Sequence, residues 1–405
     1  KTAYEISTRD WSSDVCSSDL VCCCSSAAHT AGTGGILPSH LRRHHHHTDR
    51  IVKITASQAD LSQLLRTVAP AVNRSNAHPI LNCVLLTAAP GKLTASTYNL
   101  EIGITASCVA AVDTEGSICL PAQMLREIID RSDDDDTIAI NADGTLVASG
   151  SAYHLPPQPA EDFPDLPVII GKGQQLDLGA AARAALAVVS TDAAKAILQG
   201  VRVDAGRVCA TDGHRLLLWP LQGAKGIAVT LPAATVKLIG NQPAVISVEG
   251  GHAAICLPDA TIHSRILDGA YPNVAKLIPE TLWARITCDR HRLTRALERV
   301  AVVAEAHNSV VKLTATDGEL VITADADGRN GCERLLCTGP DAAWAFNVRY
   351  LLDGLRIYRD CESVTIAGNS PTTPVVLTGA KMDVTYLVMP VQRSEEHTSE
   401  LQSRV

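Results

Sequence analysis

An α+β architecture is expected from this chain, made of three copies of a two-helix, antiparallel-sheet domain. Two repeated patterns and the composition carry that expectation. Residues 119–140, 230–248 and 345–368 each read as a strand end, an apolar-periodic helix, a polar turn and a β-branched strand, and they begin about 111 and 115 residues apart. A second helical series runs out of phase with the first, at 59–72, 178–191 and 288–306. The composition is globular, with 46% hydrophobic and 19% charged residues and only 3% aromatics, so the cores must be built from Ala, Val, Leu and Ile. A repeated domain of this kind more often makes a scaffold than a single catalytic centre.

The two ends read differently from the body. Lys1–Leu20 and Arg393–Val405 resemble peptides translated from sequencing-adapter DNA, and 21–50 has no periodicity and finishes in RRHHHHTDR. The expected division is a non-native-looking lead over 1–50, domains over 51–168, 169–282 and 283–392, and an adapter-like tail over 393–405. Each domain is then about 114 residues, large enough for its own core.

In the first domain IVKIT reads as a strand leading to a helix from Ser57. LNCVLLTAA and KLTASTYN flank Pro90-Gly91 as a hairpin, and EIGITASCVA and GSICL follow as strands. After the second helix, TIAINADGTLVASGS carries Asp143-Gly144, a strong hairpin turn, and the Pro-rich HLPPQPAEDFPDLP ends the domain. The second domain repeats the order, with VRVDAGRVCATDG read as a strand, then a helix, then AVISVEG and HAAICLP. The third does so again and closes on MDVTYLVMP. About eight strands and two helices per copy give antiparallel sheets with helices on one face.

The helices have a directional charge pattern. Leu293, Leu297, Val300 and Ala304 share one face at helical spacing, while Arg292, Arg295 and Arg299 share another. Arg349, Arg356 and Arg359 lie away from Leu351 and Leu355, and Arg66, Arg126, Arg183 and Lys237 recur at related places. One such helix is an ordinary solvated face; repetition points to a shared basic surface, with acidic residues expected mainly on strands and loops. The net charge of −8 argues against a generally basic nucleic-acid binder but not against a local basic lining.

Candidate chemistry is sparse. Cys209, Asp212 and His214 in CATDGHRLLL suggest a thiol cluster, but Asp212-Gly213 reads as a tight turn between strands and favours a structural or binding role. Asp133–Asp136 reads as a solvated turn rather than a metal site, and His44–His47 lies in the excluded lead. There is no P-loop, no GxGxxG after a strand and no HExxH, so no cofactor, metal or catalytic residue is assigned. The nine cysteines from Cys83 to Cys361 form no CxxC pair and read as buried reduced thiols of a cytoplasmic protein.

Several motifs, in order along 51–392, are similar to one family. HPILNCVLL at 78–86, AEDFPDLP at 160–167, AILQGVRV at 196–203, TDGHRLLL at 211–218, LDGAYPNVAKLIP at 267–279, AFNVRYLLDGL at 345–355 and YLVMPV at 386–391 resemble the bacterial sliding clamp, the beta subunit of DNA polymerase III. The resemblance implies a non-catalytic, cytoplasmic processivity factor with the DNA clamp fold. Two chains would form a homodimeric closed ring around double-stranded DNA, independently of sequence. A replicative polymerase subunit, the clamp loader and other clamp-binding peptides would be its partners, with no membrane association.

Carried onto this chain, the resemblance implies a peptide groove at Leu198, Thr211, Gly213, His214, Arg215, Leu216, Pro272, Lys276, Leu277, Asn347, Tyr350, Val388, Met389, Pro390 and Val391. It implies DNA contacts at Arg66, Arg74, Arg126, Arg183, Lys195, Lys237, Arg295 and Arg349. It also implies a subunit joint of Tyr153 and Leu155 against Val302 and Val303. Four positions depart from the family pattern. Ser75 stands where a basic residue is frequent, Ala196 and Ile197 where some members carry aromatics, and Lys276 where some carry Arg. The alternatives are a repeat-built interaction scaffold without DNA, or an enzyme using Cys209 and His214.

Overall fold

The computed structural model describes residues 53–73, 78–221, 226–304, 309–326 and 328–391. The chain divides into two units, Lys1–Thr48 and Asp49–Val405, and every described residue belongs to the second. The expected lead and tail, the His tract and Arg74 lie outside the described residues.

Among the described residues six α-helices form: α1 (Gln58–Val68), α2 (Ala122–Ile129), α3 (Gly179–Leu186), α4 (Ala233–Ile239), α5 (Arg290–Ala304) and α6 (Val348–Ile357). They pack as pairs, α1 on α2, α3 on α4 and α5 on α6. Each helix buries the stripe its sequence dictates. In α1, Leu61, Leu64, Leu65 and Val68 are buried, at helical spacing. Ser57 caps its start by accepting from the Asp60 N–H at 3.1 Å, and Pro70 follows its end. In α5 the expected face of Leu293, Leu297, Val300 and Ala304 is buried. In α3 the contact surface is Ala181, Ala182 and Ala185, small residues that suit a close approach to α4.

The strand pairing repeats three times. In each third the first strand pairs antiparallel with the strand after the second helix: 53–57 with 137–141, 174–176 with 244–249, and 284–289 with 363–368. Likewise the strand after the first helix pairs with the strand before the second: 83–89 with 116–121, 200–204 with 228–232, and 310–316 with 342–347. This common topology is the physical form of the sequence repeat.

The copies are joined through their sheets. An eight-stranded sheet continues from the middle third into the first where Ile262 of 260–265 faces Ile104 of 102–109. A twelve-stranded sheet continues from the middle third into the last where 215–220 pairs with 385–388, Leu216 opposite Leu387. The remaining five-stranded sheet ends at 151–154, an edge strand whose four residues are all exposed. The hairpins at Pro90-Gly91 and Asp143-Gly144 form as expected, both glycines at positive φ.

One expectation needs correction. VRVDAGRVCATDG is not one strand: 200–204 and 207–211 form a hairpin, with Ala205 and Gly206 both at positive φ. The valine-rich run hid the turn because Ala-Gly is a weak turn signal. Acidic residues lie mainly on strands and loops as expected, and several of the few on or beside helices pair with arginines there. Asp130 at the end of α2 pairs with Arg66 at 3.1 Å, Glu298 in α5 with Arg295 at 3.3 Å, and Asp353 in α6 with Arg356 at 2.6 Å. The i,i+3 spacing brings Glu298 and Asp353 to their arginines, whereas Asp130 reaches Arg66 through the packing of α2 on α1.

Candidate functional site

The sheet junction between the middle and last thirds positions the candidate groove. Strand alternation turns Cys209, Leu216, Leu218, Val376 and Leu387 to one side, where they form a small apolar cluster separate from the main core. Tyr271, Val274, Ile278, Leu282 and Met389, themselves only partly buried, pack over it. Pro272, Lys276 and Leu277 stand exposed on the covering segment, Leu277 at 46%. The result is an apolar floor with an accessible rim.

A polar device borders this floor. Asp212 accepts from the His214 and Arg215 N–H groups at 2.8 and 3.0 Å, which fixes the turn whose Gly213 sits at φ +95°. The Arg215 guanidinium donates to Asp212 at 2.9 Å, to Asp353 of α6 at 2.6 Å and to the Ala187 carbonyl at 2.6 Å. It also lies 4.6 Å from the centre of the Tyr350 ring, and the His214 ring stacks on Tyr350 at 6.2 Å. Its side chain is only 10% exposed, so these contacts replace most of its hydration.

The remaining residues of the expected groove divide by depth. Leu198, Thr211, Leu216 and Val388 are buried. Met389 and Pro390 are half-buried, and Val391 is exposed. The Met389 N–H donates to the His214 carbonyl and the Val391 N–H to that of Ala345, both at 2.8 Å, so the 388–391 segment is held beside the turn. Asn347 caps α6, accepting from the Arg349 N–H at 3.0 Å. Thr211 closes the turn by donating to the Arg215 carbonyl at 2.7 Å. Asp353, Val376, Leu387 and Tyr386 were missed in the sequence. Tyr386 and Leu387 lie in the motif YLVMPV and Asp353 one turn beyond Tyr350 on α6, whereas Val376 had no local signal.

Cys209 belongs to this apolar floor. It is 5% exposed, and burial pushes its thiol up to about 11, the reverse of what a nucleophile needs. Asp136 is similarly committed, accepting from Ser149 and Thr137.

The expected DNA-facing cations sit on helices or beside them. Arg66 and Arg126 share Asp130, whose carboxyl is held below its ordinary range chiefly by the Ser62 hydroxyl, with Arg66 adding to it. Arg183 bonds Asn241, and Lys195 donates to the Asp212 carbonyl at 3.2 Å. Lys237 lies in the last turn of α4, and Arg349 is exposed in the first turn of α6. At the expected subunit joint, Tyr153 is 43% exposed on the edge strand, whereas Leu155 turns into the core. Val302 is 77% exposed on α5, and Val303 is half-buried against Gly331.

Comparison with known proteins agrees with this architecture. Residues 52–167 match the family model of the DNA polymerase III beta subunit N-terminal domain, and 275–392 that of its C-terminal domain. The beta sliding clamp of Synechococcus elongatus is 34% identical over 374 residues, covering 84% of this chain and 99% of the relative. That of Synechocystis is 33% identical, with the same coverage of both. Among solved structures, a Caulobacter crescentus beta sliding clamp superposes with a TM-score of 0.78 at 27% identity, covering 85% of this chain and 100% of that one. A Pseudomonas aeruginosa clamp bound to griselimycin gives 0.77 at 24%, a likeness of fold. The repeated two-helix topology, the sheets running between copies and this match over nearly the full length of its relatives lead to one conclusion: the chain belongs to the bacterial beta sliding clamps, the non-catalytic processivity subunits of DNA polymerase III.

Proposed function

We propose that this chain carries out its family's task through three separate surfaces. The first is a peptide groove over the junction of 215–220 with 385–388. The observation that carries this reading is the apolar cluster of Leu216, Val376 and Leu387 at the sheet junction, covered by side chains that are themselves only partly buried, Met389 among them. An apolar floor beside a His214, Arg215 and Tyr350 wall fits a short linear segment with aliphatic or aromatic anchors. Met389 adapts to different anchors, which suits a site shared by polymerase, loader and other partners. The test is binding of a fluorescent polymerase-derived peptide to a Leu216→Ala, Met389→Ala double variant. We expect affinity to fall by about tenfold or more; unchanged binding refutes the groove.

The second surface is the set of cations on the helices. Arg66, Arg126, Arg183, Lys195, Lys237, Arg295 and Arg349, with Arg74, would meet phosphates and not base edges, which gives hold without sequence preference. Ion pairs such as Arg66 with Asp130 temper that attraction, as a sliding contact requires. The third is the ring joint. The exposed edge strand with Tyr153 would meet the α5 side of a second copy at Val302 and Val303, a heterologous contact that closes after two subunits. Domain limits near 168 and 282 follow from the repeat.

Ring closure makes retention topological. A polymerase held on the groove stays at high local concentration near the primer end, which is the origin of processivity. The compartment is the cytoplasm, where replication proceeds. No helix among the described residues is long and apolar enough to cross a membrane.

A further inference from the structure

We infer that Asp353, a residue outside the groove's own lining, is the positioning residue that sets its polar wall by gripping Arg215 from α6. This rests on the groove reading above. Three observations support it.

The grip spans two copies of the repeat. Arg215 belongs to the strand 215–220 of the middle third and Asp353 to α6 of the last. Their 2.6 Å contact is among the few side-chain bonds that tie the two at the groove. Asp353 is fully engaged: one carboxylate oxygen accepts from Arg215 and the other from Arg356, also at 2.6 Å.

The held group faces the wall. With Asp353 on one arm, Asp212 on a second and the Ala187 carbonyl on a third, the guanidinium is held in one orientation, its central carbon over the Tyr350 ring at 4.6 Å from the centroid. Tyr350 in turn stacks on His214. Tyr350 and Asp353 are one turn apart on the same helix, so Asp353 fixes Arg215 directly beneath the ring it supports.

The frame survives loss of the grip. α6 has anchors besides Asp353: the Tyr386 hydroxyl donates to the Tyr350 carbonyl at 2.8 Å, and Gly354 lies flush on the Tyr386 ring. The strand pairing of Arg215 with Val388 and Leu216 with Leu387 is backbone-mediated. Removing the Asp353 charge therefore releases one arm of a nearly buried guanidinium while leaving helix and sheet in place. The freed arm turns toward water, and the Tyr350 and His214 wall loses its backing.

The experiment is a double-mutant cycle on the full chain, read by anisotropy of a labelled polymerase-derived peptide. Asp353→Asn keeps the shape and removes the charge. It should weaken binding about two- to thirty-fold, with a cooperative melt retained. In a Tyr350→Ala background the same change should cost less than about twofold, because the wall it positions is gone. A merely structural role would give the same loss in both backgrounds, and that result, or an unchanged affinity for D353N, overturns the inference. If D353N does not fold, Asp353→Glu, which keeps the charge but displaces it by one methylene, is measured in the same cycle and judged by the same two results. Failure of the groove itself is distinguishable: it appears as unchanged binding in the Leu216→Ala, Met389→Ala variant, whatever position 353 does.

Discussion

Cys209 shows how a residue's surroundings overrule its sequence neighbours. Beside Asp212 and His214 it resembles a reactive thiol, yet the strand turns it into an apolar cluster and burial keeps it protonated. Cys288, pushed up to about 12 by burial and then by Cys337 and Asp289, behaves alike. Brief treatment with a thiol reagent at neutral pH should modify exposed Cys332 and leave Cys209 and Cys288 unmodified until the chain unfolds, a pattern peptide mass mapping reads directly. The pH consequence has a definite sign. These thiols ionise near 9 when unfolded but only at about 11 to 12 when folded. Between those values the unfolded chain binds fewer protons, so stability is intact below pH 9 and falls as pH rises through that window. Urea midpoints that rise from pH 9 to 11 would contradict this.

At the scale of elements, α6 concentrates the design. Its periodicity was legible, and Leu351 and Leu355 are buried as expected. The role of Gly354 was not, because nothing local marks it. A Cβ there would lie 2.6 Å from the Tyr386 ring, and Tyr386 is fully buried with its hydroxyl committed. Replacing a helical glycine by alanine ordinarily helps by about 1 kcal/mol. Here overpacking should win, and Gly354→Ala should destabilise by about 1–3 kcal/mol in denaturant titration. A stabilised variant would mean that Tyr386 can yield. Asn347→Ala removes the α6 cap and should cost about 1 kcal/mol. The basic helix faces were likewise legible as spacing, as were the i,i+3 partners Glu298 and Asp353, but the remote carboxylates were not. Asp130 lies 64 residues from Arg66, and Glu333 lies 34 from Arg299, so only folding brings them together.

For the whole molecule, confinement rather than affinity should govern DNA association. Clamps loaded by a clamp loader onto nicked circular DNA should remain through gel filtration and be lost once the circle is cut. Equal retention on both forms would indicate ordinary groove binding. Raising salt should weaken direct contact with linear duplex far more than it shortens residence on the intact circle, because screening acts on phosphate contacts and not on topology. Cross-linking at Tyr153 and Val302 should yield dimers if the exposed edge strand forms the proposed joint.

The amino-acid order alone determined the threefold repeat, the two helices in each copy, most strands and the buried helix stripes. Those properties depend on residues within one or two turns or pleats of each other. Family motifs then pointed to the proposed groove, including His214, Arg215 and Met389. What only the tertiary structure decided is how the copies connect and what backs the site. The pairings of 260–265 with 102–109 and of 215–220 with 385–388 join strands more than a hundred residues apart. The hold of Asp353 on Arg215 spans 138. Hydrogen bonds and ion pairs at such separations leave no periodic trace in a sequence. Their partners are chosen by which surfaces the packed sheets bring within 3 Å.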